Sequence, residues 1–327
     1  MKALRFHGAG DLRLEELPLP DPGPGEVRIL PQAVGICGTD AHIFRGEFPA
    51  AAPVALGHEI GGVVDTVGAS VQGLREGDLV TVQPNTFCGA CRFCRGGREH
   101  LCESMRAYGV HRNGGFAEAM VADARNVYRL PEGIGPRIGC FAEPLACCVH
   151  GMDRLAIRSG ATVLIIGAGA VGLMLTRLAR LAGAGRITVS EPNDGRRAAA
   201  EGFGADRTAA PDSLAGEFDY AIDAVGSSRT FEQAVARAAR GGAILVFGVA
   251  PAHAAAAVSP YDIFARELTI VGSLINPYTH ARAVELLSQM GLEKLNTKEF
   301  PLSRHREAFD TQARPAEATK VLFLPQE

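Results

Sequence analysis

Residues 161–172 read ATVLIIGAGAVG, and residues 173–183 continue LMLTRLARLAG. An apolar strand pattern runs into Gly167, Gly169 and Gly172 and then into a helical pattern, the context that a dinucleotide-binding turn requires. Glycines at these places turn the chain, let a pyrophosphate approach the backbone, and let helix pack on strand. Ala170 and Val171 open the helix whose N-terminus faces the phosphates. A Gly-x-Gly-x-x-Gly alone is a weak signal, because apolar runs with glycines also serve ordinary packing. The following strand strengthens it: RITVSE ends on Glu191, 19 positions beyond Gly172, where an acidic side chain would bind adenosine ribose hydroxyls and favour NAD.

Outward from this turn, residues 150 to 270 alternate apolar strands with alanine-rich helical stretches: RITVSE, GRRAAAEGFGA, FDYAIDAVG, TFEQAVARAAR, GAILVFGV, LTIVGS. That order predicts an α/β domain with a doubly wound parallel sheet. Before it, residues 1 to about 145 hold short alternating segments such as GGVVDTVG and FAEAMVA, broken by clusters such as PDPGPGE, which predict a barrel-like β domain. After it, HARAVELLSQM reads as helix and KVLFLP as strand, too little for a third core, so the tail is expected to return to the first domain. The expected division is 1–148 with 271–327, and 149–270.

Composition excludes several classes of function. With 327 residues, 47% hydrophobic and 21% charged, the chain is long enough for two globular cores and too apolar for disorder. A formal charge of -3 supplies no basic field for nucleic acid or anionic lipid. The N-terminal MKALRFHGAGDLRLEELPLP lacks a signal-peptide apolar core, and the longest apolar run, Ala161 to Leu175, is too short to span a bilayer. No membrane segment and a cytoplasmic location are expected. Eight cysteines in such a chain favour metal binding over disulfides.

Cys88, Cys91, Cys94 and Cys102 form CxxCxxC followed, after seven residues, by a fourth cysteine. Four thiolates close a tetrahedral zinc site and leave no position for substrate, so this metal would staple a loop at 84–105. The interleaved Arg92, Arg95 and Arg98 invite a nucleic-acid finger, but there is no basic recognition helix and the chain's balance is acidic. Cys37-Gly38-Thr39-Asp40-Ala41-His42 and Gly57-His58-Glu59 are the second constellation. A thiolate, an imidazole and a carboxylate together would make an open three-ligand zinc site, the carboxylate being Glu143, in FAEPLACCVHG, or Glu59. Cys140, Cys147 and Cys148 read as core thiols.

These residues, in this order over nearly the whole chain, resemble the zinc-containing medium-chain dehydrogenases, and among them the polyol and threonine dehydrogenase branch. The resemblance implies a chaperonin-10-like β-barrel joined to a Rossmann domain. It also implies a catalytic zinc on Cys37 and His58, with Glu143 of the EPL motif at the metal and Glu59 as a neighbouring carboxylate that sits behind the ligands or exchanges with water. Thr39 and His42 would relay the proton to solvent, the plain alternatives being a turn hydrogen bond for Thr39 and a helix cap for His42. Arg196 would stack on adenine, an exposed helix arginine being the plain alternative. The implied activity is NAD-linked oxidation of a secondary alcohol, a polyol or cyclic sugar alcohol, by a homodimer or homotetramer. The alternatives are a threonine or butanediol dehydrogenase of the same family and, in another class, a non-catalytic nucleotide-binding zinc protein.

Overall fold

The computed structural model describes residues 1–314 and 318–327. The chain divides into two compact units, Met1–Ala146 with Pro277–Glu327, and Cys147–Asn276.

The first unit is built on the long strand Glu26–Gly35, which pairs antiparallel with Glu59–Val67, Met120–Asp123 and Lys320–Phe323. From Glu26 to Ala33 the side chains alternate between half-buried and buried, so one face supplies Val27 and Ile29 to the core, and a register shift between Pro31 and Ala33 lets Val34 join them. Phe116, Phe309 and Phe323 fill the interior with edge-on and tilted ring contacts; Phe116 and Phe323 are 4.8 Å apart at 77°. The tail does return to this sheet, because the apolar run Val321–Phe323 can bury itself only by joining strands that expose a hydrophobic edge. Register then sets three residues in line, with Gly35 opposite Glu59 on one side and opposite Leu322 on the other.

The second unit is a six-stranded sheet in the order Arg207–Ala209, Arg186–Ser190, Thr162–Ile166, Phe218–Asp223, Ala238–Val246, Thr269–Gly272, every pair parallel. Val163, Leu164, Ile165 and Ile166 are all buried, as a central strand covered on both faces must be. The chain winds first to one side of Thr162–Ile166 and then to the other, so the sheet's switch point lies just past Ile166, at the glycine turn.

Two expectations shift. The helix read from TFEQAVARAAR stops at Arg237, because Ala238 already opens the next strand and its ladder. A boundary at 270 would cut the strand Thr269–Gly272, whose hydrogen bonds to Ala238–Val246 keep it in the second unit. Cys140 and Cys148 are buried, while Cys147 is only half-buried.

Candidate metal centre and cofactor turn

Cys37 caps the helix Gly38–Phe44: its sulfur accepts from the Thr39 amide at 3.5 Å, and Asp40 Oδ2 accepts from the Cys37 amide at 2.8 Å. This reciprocal cap satisfies the free amides of the helix start and fixes the thiol's direction. Because Gly35 lies opposite Glu59, the chain leaving Gly35 delivers Cys37 beside His58 and Glu59. Their ligand atoms all lie within 4.8 Å of one another. Glu143, the third ligand implied by the family resemblance, is buried in the first turn of the helix Ala142–Leu155 and is not in that group; Glu59 is. Glu59, the other carboxylate the sequence offers, opens the strand Glu59–Val67 directly after His58 and is carried to the cluster by register.

Thiolate, imidazole and carboxylate within one such span suit an open tetrahedral zinc site. The surroundings also favour a cation. Burial alone would lower the His58 pKa, but Asp40 and Cys37 outweigh it and raise it well above the ordinary value. His58 Nδ1 is buried without a hydrogen-bond partner, with Asp40 Oδ1 3.5 Å away. Thr39 Oγ1 is 3.7 Å from Cys37 Sγ, and His42 follows three residues later on the same helix face.

Sequence reasoning missed Lys320. Its Nζ donates to Glu59 Oε1 at 2.6 Å, and both side chains are buried. The pair exists because residue 35 is glycine: a Cβ there would lie 2.0 Å from Glu59 Oε2 and 2.8 Å from Lys320 Cε. The one available signal was a lysine opening the apolar run Val321–Leu324.

In the lobe, Cys88 Sγ is 3.9 Å and Cys91 Sγ 3.6 Å from Cys94 Sγ. A disulfide needs about 2.05 Å. Four sulfurs about 2.3 Å from a central zinc lie about 3.8 Å apart along a tetrahedron's edges, so these spacings fit a metal. Amides of Ala90 and Cys91 point at Cys88, and those of Cys88 and Ser104 at Cys102. The Cys94 and Glu103 amides bring the Cys91 thiol down to about 6, whereas burial and the neighbouring thiols push Cys94 up to about 12. The four sulfurs thus stand at a spacing that a zinc ion would fit.

The glycine turn joins Thr162–Ile166 to the helix Ala170–Leu181. Gly172 admits no side chain, since a Cβ would meet Gly167 O at 2.0 Å, while at Gly169 it would meet only Arg196 Nη1, at 3.9 Å. The backbone is thus open where a pyrophosphate would approach, and Ala170 and Val171 begin the helix. Glu191 is buried at the end of the next strand, its Oε2 accepting from the Ala168 amide at 2.9 Å and its Oε1 from the Asn193 amide at 3.0 Å. Arg196 lies on the helix Asp194–Gly202 behind this turn.

Residues 23–132 match the alcohol dehydrogenase GroES-like domain, and residues 170–289 match the zinc-binding dehydrogenase domain. The chain belongs to the zinc-containing medium-chain dehydrogenases, proteins that pair a GroES-like barrel with a Rossmann sheet. Within them it stands with the polyol and threonine branch. It is 35% identical to the D-altritol 5-dehydrogenase of Agrobacterium fabrum over 100% of both chains. It is also 34% identical to an L-threonine 3-dehydrogenase of Saccharopolyspora erythraea, over 99% of this chain and 98% of that one. A Sinorhizobium meliloti 1021 chain solved bound to NADP superposes with a TM-score of 0.95 at 36% identity, each chain covered to 99%.

Proposed function

We propose that this protein oxidises a secondary alcohol, a polyol or cyclic sugar alcohol, to the ketone with NAD. The observation that carries this reading is the cluster of half-buried Cys37 with buried His58 and Glu59 in a chain alike from end to end to a polyol dehydrogenase. Zinc bound there would acidify a substrate hydroxyl, and the nicotinamide would take up the hydride.

The chain's own residues orient and deprotonate. Cys37, His58 and Glu59 would hold the metal. Glu143, buried in the first turn of the helix Ala142–Leu155, stays the alternative carboxylate. One thiolate and one carboxylate neutralise a dication as two thiolates would, yet the harder oxygen donates less charge and tolerates an additional ligand, which suits a chelating diol. Thr39 and His42 would move the proton outward. Gly167, Gly169, Ala170, Val171 and Gly172 would cradle the pyrophosphate, Glu191 the ribose hydroxyls, and Arg196 the adenine.

No helix among the described residues is long and apolar enough to cross a membrane. A cytoplasmic place is our reading of a chain whose cysteines group as metal ligands. Assembly into a homodimer or homotetramer is supported by the edge strand Thr269–Gly272 and the exposed Tyr261 and Phe264 beside it in the chain.

The test is NAD reduction against sugar alcohols, inositols, threonine, 2,3-butanediol and 2-butanol, with His58→Ala as blank. A polyol should exceed its matching monoalcohol by at least about tenfold in kcat/KM, roughly 1.4 kcal/mol of transition-state binding. Equal rates on 2-butanol and the best polyol, or a preference for threonine, defeat the substrate class.

A further inference from the structure

The helix Gly38–Phe44 ends in a turn that folds residue 47 back onto residue 42. Gly46, at φ +75, follows the C-cap Arg45; the Gly46 amide donates to Ile43 O at 2.9 Å and the Glu47 amide to His42 O at 2.9 Å. This is the paired closure of a Schellman motif, in which the two residues brought together commonly make a hydrophobic contact. Here they are His42 and Glu47, and their side chains meet: His42 Nδ1 is 2.6 Å from Glu47 Oε2. Arg45 clasps the same carboxylate, Nε to Oε1 and Nη2 to Oε2 at 2.9 Å each, and its Nη2 is 3.1 Å from His42 Nδ1.

A guanidinium only donates, so the two contacts at Nδ1 compete. Either Nδ1 carries a proton and gives it to Glu47, or it is bare and accepts from Arg45. The shorter contact decides. A bare nitrogen 2.6 Å from a carboxylate oxygen would oppose two lone pairs, whereas an N–H there makes a charge-assisted bond. Glu47 is ionised to do so, because Arg45 and then His42 hold its carboxyl at about 2.

Building on the relay assigned to His42 above, we propose that Glu47 is a positioning residue for proton exit, fixing His42 as the Nδ1–H tautomer with Nε2 bare. The proton accepted at Nε2 gives an imidazolium that Glu47 stabilises, and it leaves from Nε2 to water or buffer, so Glu47 is itself never protonated. Arg45 keeps the carboxylate in place. Without Glu47 the ring faces the Arg45 cation alone and is free to carry its proton on Nε2, where it blocks acceptance.

Nitrogen NMR of the zinc-loaded enzyme reads the tautomer directly, and steady-state rates with NAD and the best alcohol of the panel read its consequence. Wild type should show Nδ1–H. Glu47→Ala should lose that preference, and its kcat at low buffer should fall about three- to tenfold, part of the factor of about 100 or more that a placed base supplies. Added imidazole buffer should restore the rate, which it would not do for a loss of packing. Glu47→Gln, whose carbonyl still accepts from Nδ1–H, should keep the tautomer and lie between the two. An unchanged ring and a kcat within about twofold of wild type in Glu47→Ala overturn the assignment, provided His42→Gln is slow. Full turnover in His42→Gln overturns the relay itself and the role of Glu47 with it.

Discussion

Lys320 Nζ lies 2.6 Å from Glu59 Oε1, a buried ion pair between residues 261 positions apart. Burial works against the ammonium, but Glu59 and then Cys37 outweigh it and hold Lys320 above its ordinary value. Removing one partner of such a pair leaves a buried charge unmatched and costs about 3–5 kcal/mol. Lys320→Met should therefore lower the unfolding free energy of the zinc-free protein by about that amount, with a smaller loss once zinc offers Glu59 a second cation. Equal losses with and without zinc would show that Glu59 does not reach the metal.

The lobe should lose its metal without taking the catalytic site along. Cys91→Ser is expected to release about one zinc and to melt at lower temperature, because three sulfurs leave a gap in a closed tetrahedron. Metal analysis and a melting curve check this. Undiminished zinc with unchanged melting would mean that the Cys88, Cys91, Cys94 and Cys102 spacing serves something else.

Each Glu191 oxygen already accepts one amide hydrogen, which leaves a lone pair on each for a ribose hydroxyl. A 2'-phosphate would instead meet a carboxylate held rigidly in place. Glu191→Ala should lower the ratio of kcat/KM for NAD over NADP at least about tenfold, equivalent to about 1.4 kcal/mol. A wild-type preference for NADP, the cofactor bound by the Sinorhizobium chain, would overturn the assignment.

His280 is buried with neither ring nitrogen hydrogen-bonded, its ring 4.8 Å from that of Tyr128. Burial lowers its pKa to about 3, from an ordinary 6.5. Between those values the unfolded chain binds a proton that the folded one refuses, so stability is full above about pH 6.5 and falls as pH drops toward 3. The slope from this one group approaches about 1.4 kcal/mol per pH unit. His280→Phe keeps the ring contact and removes the titration, and its denaturation midpoint should gain on wild type as pH falls from 7 to 5. A constant difference between the two proteins would rule His280 out as the source.

Where a sequence signal is local, the structure reproduces it. The glycine turn forms because Gly167, Gly169 and Gly172 carry their conformational needs within six residues, and the strands around it are continuous apolar runs that can only be buried on both faces. The lobe's sulfurs come together because their spacing is short enough for one loop to close on itself. The strand and helix of the tail were legible for the same reason, being periodic over their own length.

What depends on register the sequence left open. It offers Glu59 and Glu143 as carboxylates, and Glu59 joins Cys37 and His58 because Gly35 stands opposite Glu59 in the sheet, a pairing that no stretch of sequence states. Lys320 reaches Glu59 because the returning strand aligns Leu322 with the same glycine, and Glu47 reaches His42 because Gly46 reverses the chain at a helix end. By itself the sequence determined the two folds, the glycine turn and the four-sulfur lobe, each encoded by neighbours along the chain. Tertiary structure alone decided which carboxylate stands beside Cys37 and His58 and which lysine balances it, because the pairing of Gly35 with Glu59, 24 positions on, and with Leu322, 287 positions on, sets those distances.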